Sequence, residues 1–200
     1  MLHKNVRFGI LITKEGDAMY KLCRTDHSAR RQRELERGLL EAMKCQRYED
    51  ISISDLCQHL QISRKCFYRY FDGKDGALCA LIDHTLLEYG ERRGASDREH
   101  LSDELERVFC FWKEKRELLD ALDASGLTRV LAERATVFSC SDAMLLGRLN
   151  PLEEGHAAEH LVSFWVCGFI ALILSWYRGG FAEPPERMAR MTAKYLVTLR

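Results

Sequence analysis

The stretch from Ser52 to Lys74 starts two helices in quick succession, and few folds accommodate that. Ser52 followed by Asp55 reads as a capping box, in which the serine hydroxyl takes the N–H three residues on and the carboxylate reaches back. Ile51 before this cap and Leu56 after it stand at the two positions of a hydrophobic staple. Ser63 repeats the device, with Ile62 and Phe67 as its staple. Only Gln61 and Ile62 separate Leu60 from the second cap. Two helices this close cannot be collinear, so the chain is expected to bend sharply into a helix-turn-helix.

In the second helix Cys66, Phe67, Tyr70 and Phe71 fall at helical spacing and should face inward, leaving Arg64, Lys65, Tyr68 and Arg69 outside. Arginine and lysine donate to guanine edges or phosphates, and a tyrosine hydroxyl donates to phosphate oxygens. Charge alone would favour an ordinary solvated face. The doubled cap and staple turn the reading toward a DNA groove.

The run Ile51-Ser52-Ile53-x-x-Leu56-Cys57, then Ile62-Ser63, then Phe67-Tyr68-Arg69-Tyr70-Phe71-x-x-Lys74-x-x-x-Leu78 resembles the DNA-binding signature of TetR/AcrR-type bacterial regulators. The resemblance implies an all-α fold of about nine helices, a homodimer, a palindromic operator in double-stranded DNA, and a small-molecule effector whose binding releases a repressor. Under it, Arg64 and Lys65 would meet base edges, Ser63, Tyr68 and Lys74 phosphates, and Ser52 a phosphate through its helix N-terminus. The family usually has a small residue and then Gly where this chain has Leu60 and Gln61. A side chain there calls for a left-handed backbone, at a cost of roughly 1 kcal/mol.

The remaining sequence reads as helices around this head. Three prolines in 200 residues, 46% hydrophobic content and apolar spacings of three and four indicate an all-helical chain with enough mass to bury a core. Net charge is zero, yet residues 1–95 carry 17 Lys and Arg against 14 acids and the rest 13 against 16. Residues 1–27 show no period and are expected to be a disordered tail or a mis-assigned extension, with Met19 as a possible true start. The head then covers 28–74. Its first helix runs from an N-cap at Ser28 to Cys45 on Leu35, Leu39, Ala42 and Met43. Arg30, Arg31, Arg33 and Arg37 oppose the helix dipole, so phosphate contact and solubility remain equal explanations for them.

Residues 75–200 form the connecting helix and body. A long helix is carried to Arg92 with Leu78, Leu81, Ile82, Thr85 and Leu86 inside, and Gly94-Ala95-Ser96 breaks it. Helices follow over Leu101–Lys113, Glu117–Ala124 and Leu127–Phe138. Phe109, Phe111, Trp112 and Phe138 are the candidates to line an effector pocket, although core packing is the commoner role for any one of them.

The segment Leu161–Tyr177 has no charged residue. It falls short of the roughly 20 residues of a membrane span and is broken by Ser163, Gly168 and Ser175, so a buried helix covered by a second copy fits better. A last helix from Pro184 and Pro185 to Leu199 brings Met188, Met191 and Tyr195. With Phe164, Gly168, Leu172 and Trp176 they make the expected dimer interface.

Eight cysteines without a Cys-x-x-Cys pair suit a reduced, cytoplasmic chain and exclude a zinc ribbon. Cys66, among Arg64, Lys65 and Arg69, is the candidate for a thiol sensor. His156 and His160, one turn apart near Glu153 and Glu159, are too few for a metal site by themselves. No Ser-His-acid constellation or phosphate-binding glycine loop points to an enzyme or to a cofactor. The alternative to an effector-controlled regulator is one that acts through a protein partner, or by metal or thiol sensing.

Overall fold

The computed structural model describes residues 19–93, 101–140 and 156–198. Residues 1–18, the break at 94–96, Leu199 and Glu153 lie outside them, as do the side chains of His156 and Glu159. Among the described residues the protein is all-helical, with nine α-helices. They are α1 (Asp26–Cys45), α2 (Ile53–His59), α3 (Arg64–Tyr68), α4 (Lys74–Arg93), α5 (Leu101–Glu114), α6 (Arg116–Ala124), α7 (Thr128–Cys140), α8 (His156–Arg178) and α9 (Pro185–Thr198). One 3-10 turn, Tyr48–Asp50, precedes α2.

Local side-chain caps start α1, α2 and α3. Ser52 caps α2 by accepting from the Asp55 N–H, and Ser63 caps α3 by accepting from the Cys66 N–H. Asp55 does not reach back to the backbone: its carboxylate instead accepts the Ser52 hydroxyl at 2.6 Å. Helix α1 begins earlier than expected, because Thr25 is the cap and Ser28 is the residue whose N–H it receives.

Helix α4 is the axis of the molecule. It packs against α1, α5 and α7, while α5 also holds α9 and α7 holds α8. Helix α1 reaches α6 as well, through a Lys44–Glu117 ion pair at 2.8 Å. The buried side chains form one cluster running from Tyr20 to Ala189, so the 74/75 boundary divides a continuous core.

The stretch 19–27 is not a loose tail. The Lys21 N–H donates to the Tyr70 carbonyl at 2.8 Å and the Asp72 N–H to the Met19 carbonyl at 3.0 Å, around a Tyr20–Phe71 bridge. Tyr20 is buried, and its hydroxyl donates to Asp83 at 2.6 Å. The Met19 carbonyl lies so close to Gly76 that a Cβ there would approach it to 2.0 Å, so α4 needs glycine at that position. None of these partners is near in sequence, which is why local periodicity gave no sign of them.

Two carboxylates, Glu36 and Asp83, are buried beside the apolar stripes. Glu36, on the buried stripe of α1, places its oxygens 2.8 and 2.9 Å from His84 Nδ1 on α4, with Arg33 at 3.7 Å. Asp83 is wholly buried and takes Arg134 of α7 in a bidentate pair, Nε to Oδ1 at 2.6 Å and Nη2 to Oδ2. Burial pushes the Glu36 carboxyl up to about 8, against the pull of Arg33. The folded chain therefore keeps a proton there that the unfolded chain releases near 4.5, and stability falls as pH rises from about 4.5 to 8. Glu36→Gln is expected to flatten this slope, gaining stability relative to the parent at pH 8 compared with pH 5. Urea denaturation at both values checks it, and parallel pH profiles would contradict it.

Candidate nucleic-acid interface

Helix α3 is short, and its two faces are sharply distinct. Phe67 and Phe71 are fully buried and Tyr70 nearly so, with the Phe67 and Phe71 rings 5.2 Å apart. Arg64, Lys65, Tyr68 and Arg69 are exposed. The Tyr68 ring stands nearly perpendicular to Phe67, centres 5.7 Å apart, and the residue is exposed. Among the described residues no carboxylate pairs with Arg64, Lys65 or Arg69. On α1, by contrast, Arg31 is engaged by Glu34 at 2.8 Å and Arg33 by Glu36, while Arg30 and Arg37 are exposed.

The turn that aims α3 has a left-handed Gln61, with φ of 53°. Leu60 before it fits because α1 has Gly38 opposite: a Cβ on Gly38 would come within 2.4 Å of a Leu60 methyl. The side chain that departs from the family pattern thus has a matching vacancy in the neighbouring helix.

Three of the six DNA contacts expected from sequence have structural tasks. The Ser52 hydroxyl both accepts from the Asp55 N–H and donates to the Asp55 carboxylate. Ser63 is exposed but accepts from the Cys66 N–H at 3.2 Å. Lys74 is corrected outright. Its ammonium donates to the carbonyls of Tyr48, Glu49 and Ile51 at 2.5, 3.4 and 2.7 Å and lies 4.3 Å from the Tyr48 ring centre. An ammonium has three protons, and three carbonyls take them. Tyr48 completes the joint by donating its hydroxyl to Asp75 at 2.5 Å, where burial and Asp75 raise the phenol well above its ordinary range. This joint ties the turn before α2 to the start of α4. Its sequence trace is a lone aromatic among Arg47, Glu49 and Asp50.

The aromatic candidates for an effector pocket are all buried. Phe109 packs on Phe169 and Trp176 at 5.6 and 5.3 Å, and Phe111 on Tyr89 and Trp112 at 5.3 and 5.6 Å. Phe138 lies against Gly90 of α4. These rings fill the core, and a groove on α5 lined by Asp103, Glu106, Arg107 and Cys110 includes none of them.

The expected dimer face is partly corrected. Phe164 is 71% exposed, Met191 52% and Tyr195 75%; Gly168 is exposed and Leu172 half-buried. Trp176 and Met188 instead turn into their own core, where Trp176 Nε1 donates to the Glu183 carbonyl at 2.9 Å. Steps of four residues overshoot a helical turn by about 40°, so three steps from Phe164 rotate the stripe by about 120°. Leu161, Phe164, Cys167, Gly168, Ala171 and Ser175 are among the residues that stay outside. Opposite them Val162, Ile170, Ile173 and Leu174 are buried. The span His160–Arg178 meets the length and hydropathy of a membrane helix, but its inner side is built into the bundle.

All eight cysteines are free thiols, with Cys66 half-buried. Among the described residues no group of three or more His, Cys, Asp or Glu is placed to hold a metal ion. Neither a scan against protein-family models nor a search of curated proteins finds a match to this chain.

Lys74→Met is expected to destabilise the fold by about 1–3 kcal/mol, because three carbonyls lose their donor. Arg64→Ala and Lys65→Ala should stay within about 0.5 kcal/mol of the parent. Thermal unfolding of the three variants separates these roles, and an unchanged Tm for Lys74→Met would restore that lysine to the surface.

Proposed function

We propose that this protein is a DNA-binding transcription regulator that reads a palindromic operator as a homodimer, in the manner of the TetR/AcrR-type regulators its sequence resembles. The observation that carries this reading is the α3 surface. A helix held by its cap and by three buried aromatics presents Arg64, Lys65, Tyr68 and Arg69, and among the described residues no carboxylate pairs with its three cations. Guanidinium and ammonium groups so placed suit guanine edges and phosphates in a major groove. Arg64 and Lys65 serve as base readers. Tyr68, with Arg69 beside it, serves the backbone.

The second support is the uncovered apolar side of α8 with Met191 and Tyr195 of α9. A two-fold axis through this face would hide Phe164 against its copy and set two heads side by side. In this reading the chain works by binding rather than catalysis. The default output is repression, relieved when a small effector bound in the body prefers a different placement of α4; such coupling is typically about 1–3 kcal/mol. The same face gives a specific ground for the other reading, in which a protein partner takes the place of the second copy.

The test is fluorescence anisotropy of the full chain against fragments of its own genomic neighbourhood and scrambled controls, at several salt concentrations. One palindromic fragment is expected to bind tightly, with affinity falling steeply as salt rises. Lys65→Ala should cost about 1–3 kcal/mol and relax preference at one base pair. Phe164→Lys should give a monomer that binds weakly. Equal, weak binding to every fragment would refute the proposal, and a monomeric parent would refute its dimer.

A further inference from the structure

We propose that Asp83 is the hub of a latch through which the placement of α7 sets the order of the Met19–Lys21 segment and, with it, the seating of α3. The inference deepens the regulatory reading above and rests on it for its purpose, while the latch itself is a property of the isolated chain.

The parts are joined by hydrogen bonds on either side of Tyr20 and by the Tyr20 side chain itself. Arg134, half-buried on α7, holds both oxygens of Asp83 on α4. The Tyr20 hydroxyl donates to the Oδ2 of the same carboxylate at 2.6 Å. Residues on either side of Tyr20 then carry the two main-chain bonds to Tyr70 and Asp72, immediately after α3. Gln32 of α1 adds a bond from Nε2 to the Lys21 carbonyl at 3.1 Å. The body, the connecting helix, the N-terminal segment and the end of α3 thus share one small polar cluster.

The cluster has few intermediate arrangements. Asp83 has no exposed surface, so a carboxylate deprived of Arg134 finds no water to replace it. Burial pushes the Asp83 carboxyl up, and Arg134 and Tyr20 pull it back; losing either shifts that balance. The segment cannot slide to compensate, because the Met19 carbonyl is seated on the bare Cα of Gly76. Displacing Arg134 must therefore loosen Tyr20, and loosening Tyr20 removes the main-chain partners that hold Tyr70 and Asp72. Close-packed elements with two discrete arrangements are what transmit a body movement to a distant surface.

Hydrogen exchange of the full-length protein, without DNA or effector, tests the latch. Arg134→Met is expected to speed exchange of the Lys21 and Asp72 amides about tenfold or more, though Arg134 touches neither, while α9 amides such as Met188 keep their protection. Linkage requires the reverse effect, so Tyr20→Phe, which removes a single hydroxyl, should speed exchange of α7 amides around Arg134. The double variant should loosen Lys21 and Asp72 no further than either single one. Should Arg134→Met fold too poorly to measure, the effect of Tyr20→Phe on α7 decides the matter. Unchanged Lys21 and Asp72 protection in Arg134→Met, unchanged α7 protection in Tyr20→Phe, or additive effects in the double variant would each overturn the latch. The outcome is independent of DNA: a latch can be present in a chain that binds no operator, and an operator-binding chain can lack one.

Discussion

A carboxylate sealed from water must be answered by its neighbours, and Asp83 imposes that condition on the centre of this protein. Leaving such a group without its partner costs about 3–5 kcal/mol. The answer here is a guanidinium from α7 and a phenol from ahead of α1. Helix α4 consequently cannot take its place until elements far apart in sequence have taken theirs. Glu36 and His84 repeat the condition one residue along, between α1 and α4. The long helix is fixed by polar specificity as much as by its apolar side chains, and Met19, Tyr20 and Lys21 are part of the fold because they complete it.

The short helices depend on this axis. A five-residue helix has little stability of its own, since helix nucleation is costly and propagation too brief to offset it. Helix α3 exists because Ser63 starts it, because Phe67 and Phe71 anchor it, and because Met19 and Lys21 hold the chain beyond it. Lys74 and Tyr48 clamp the entry to α2 in the same way. With the inner face so occupied, the outer one is left for solvent or for a ligand, and its chemistry is that of arginine, lysine and a phenol.

Much of this was legible in sequence where the cause is local. The capping serines and the inward Phe67 and Phe71 follow from residues within one turn of each other. The left-handed Gln61 was expected only through the resemblance, whose pattern has glycine at that point. What sequence could not supply were pairings across long separations. Gly38 is an ordinary helix glycine until Leu60 is placed against it, and Tyr20 is a tail residue until Asp83 is buried. Lys74 shows the limit at the candidate site: a cation at a helix start suits a phosphate, but three nearby carbonyls claim it first. Trp176 shows another, since a spacing of four drifts around the helix and carries the apolar stripe from the surface into the core.

The central claim is that two copies of this chain set two α3 surfaces against one DNA. Hydroxyl-radical footprinting of the parent protein on its best-bound genomic fragment addresses it most directly. Two protected patches related by a dyad, with centres about 10–10.5 base pairs apart or a multiple of that, are the result the account requires. A single asymmetric patch, or protection spread evenly along the fragment, would contradict it.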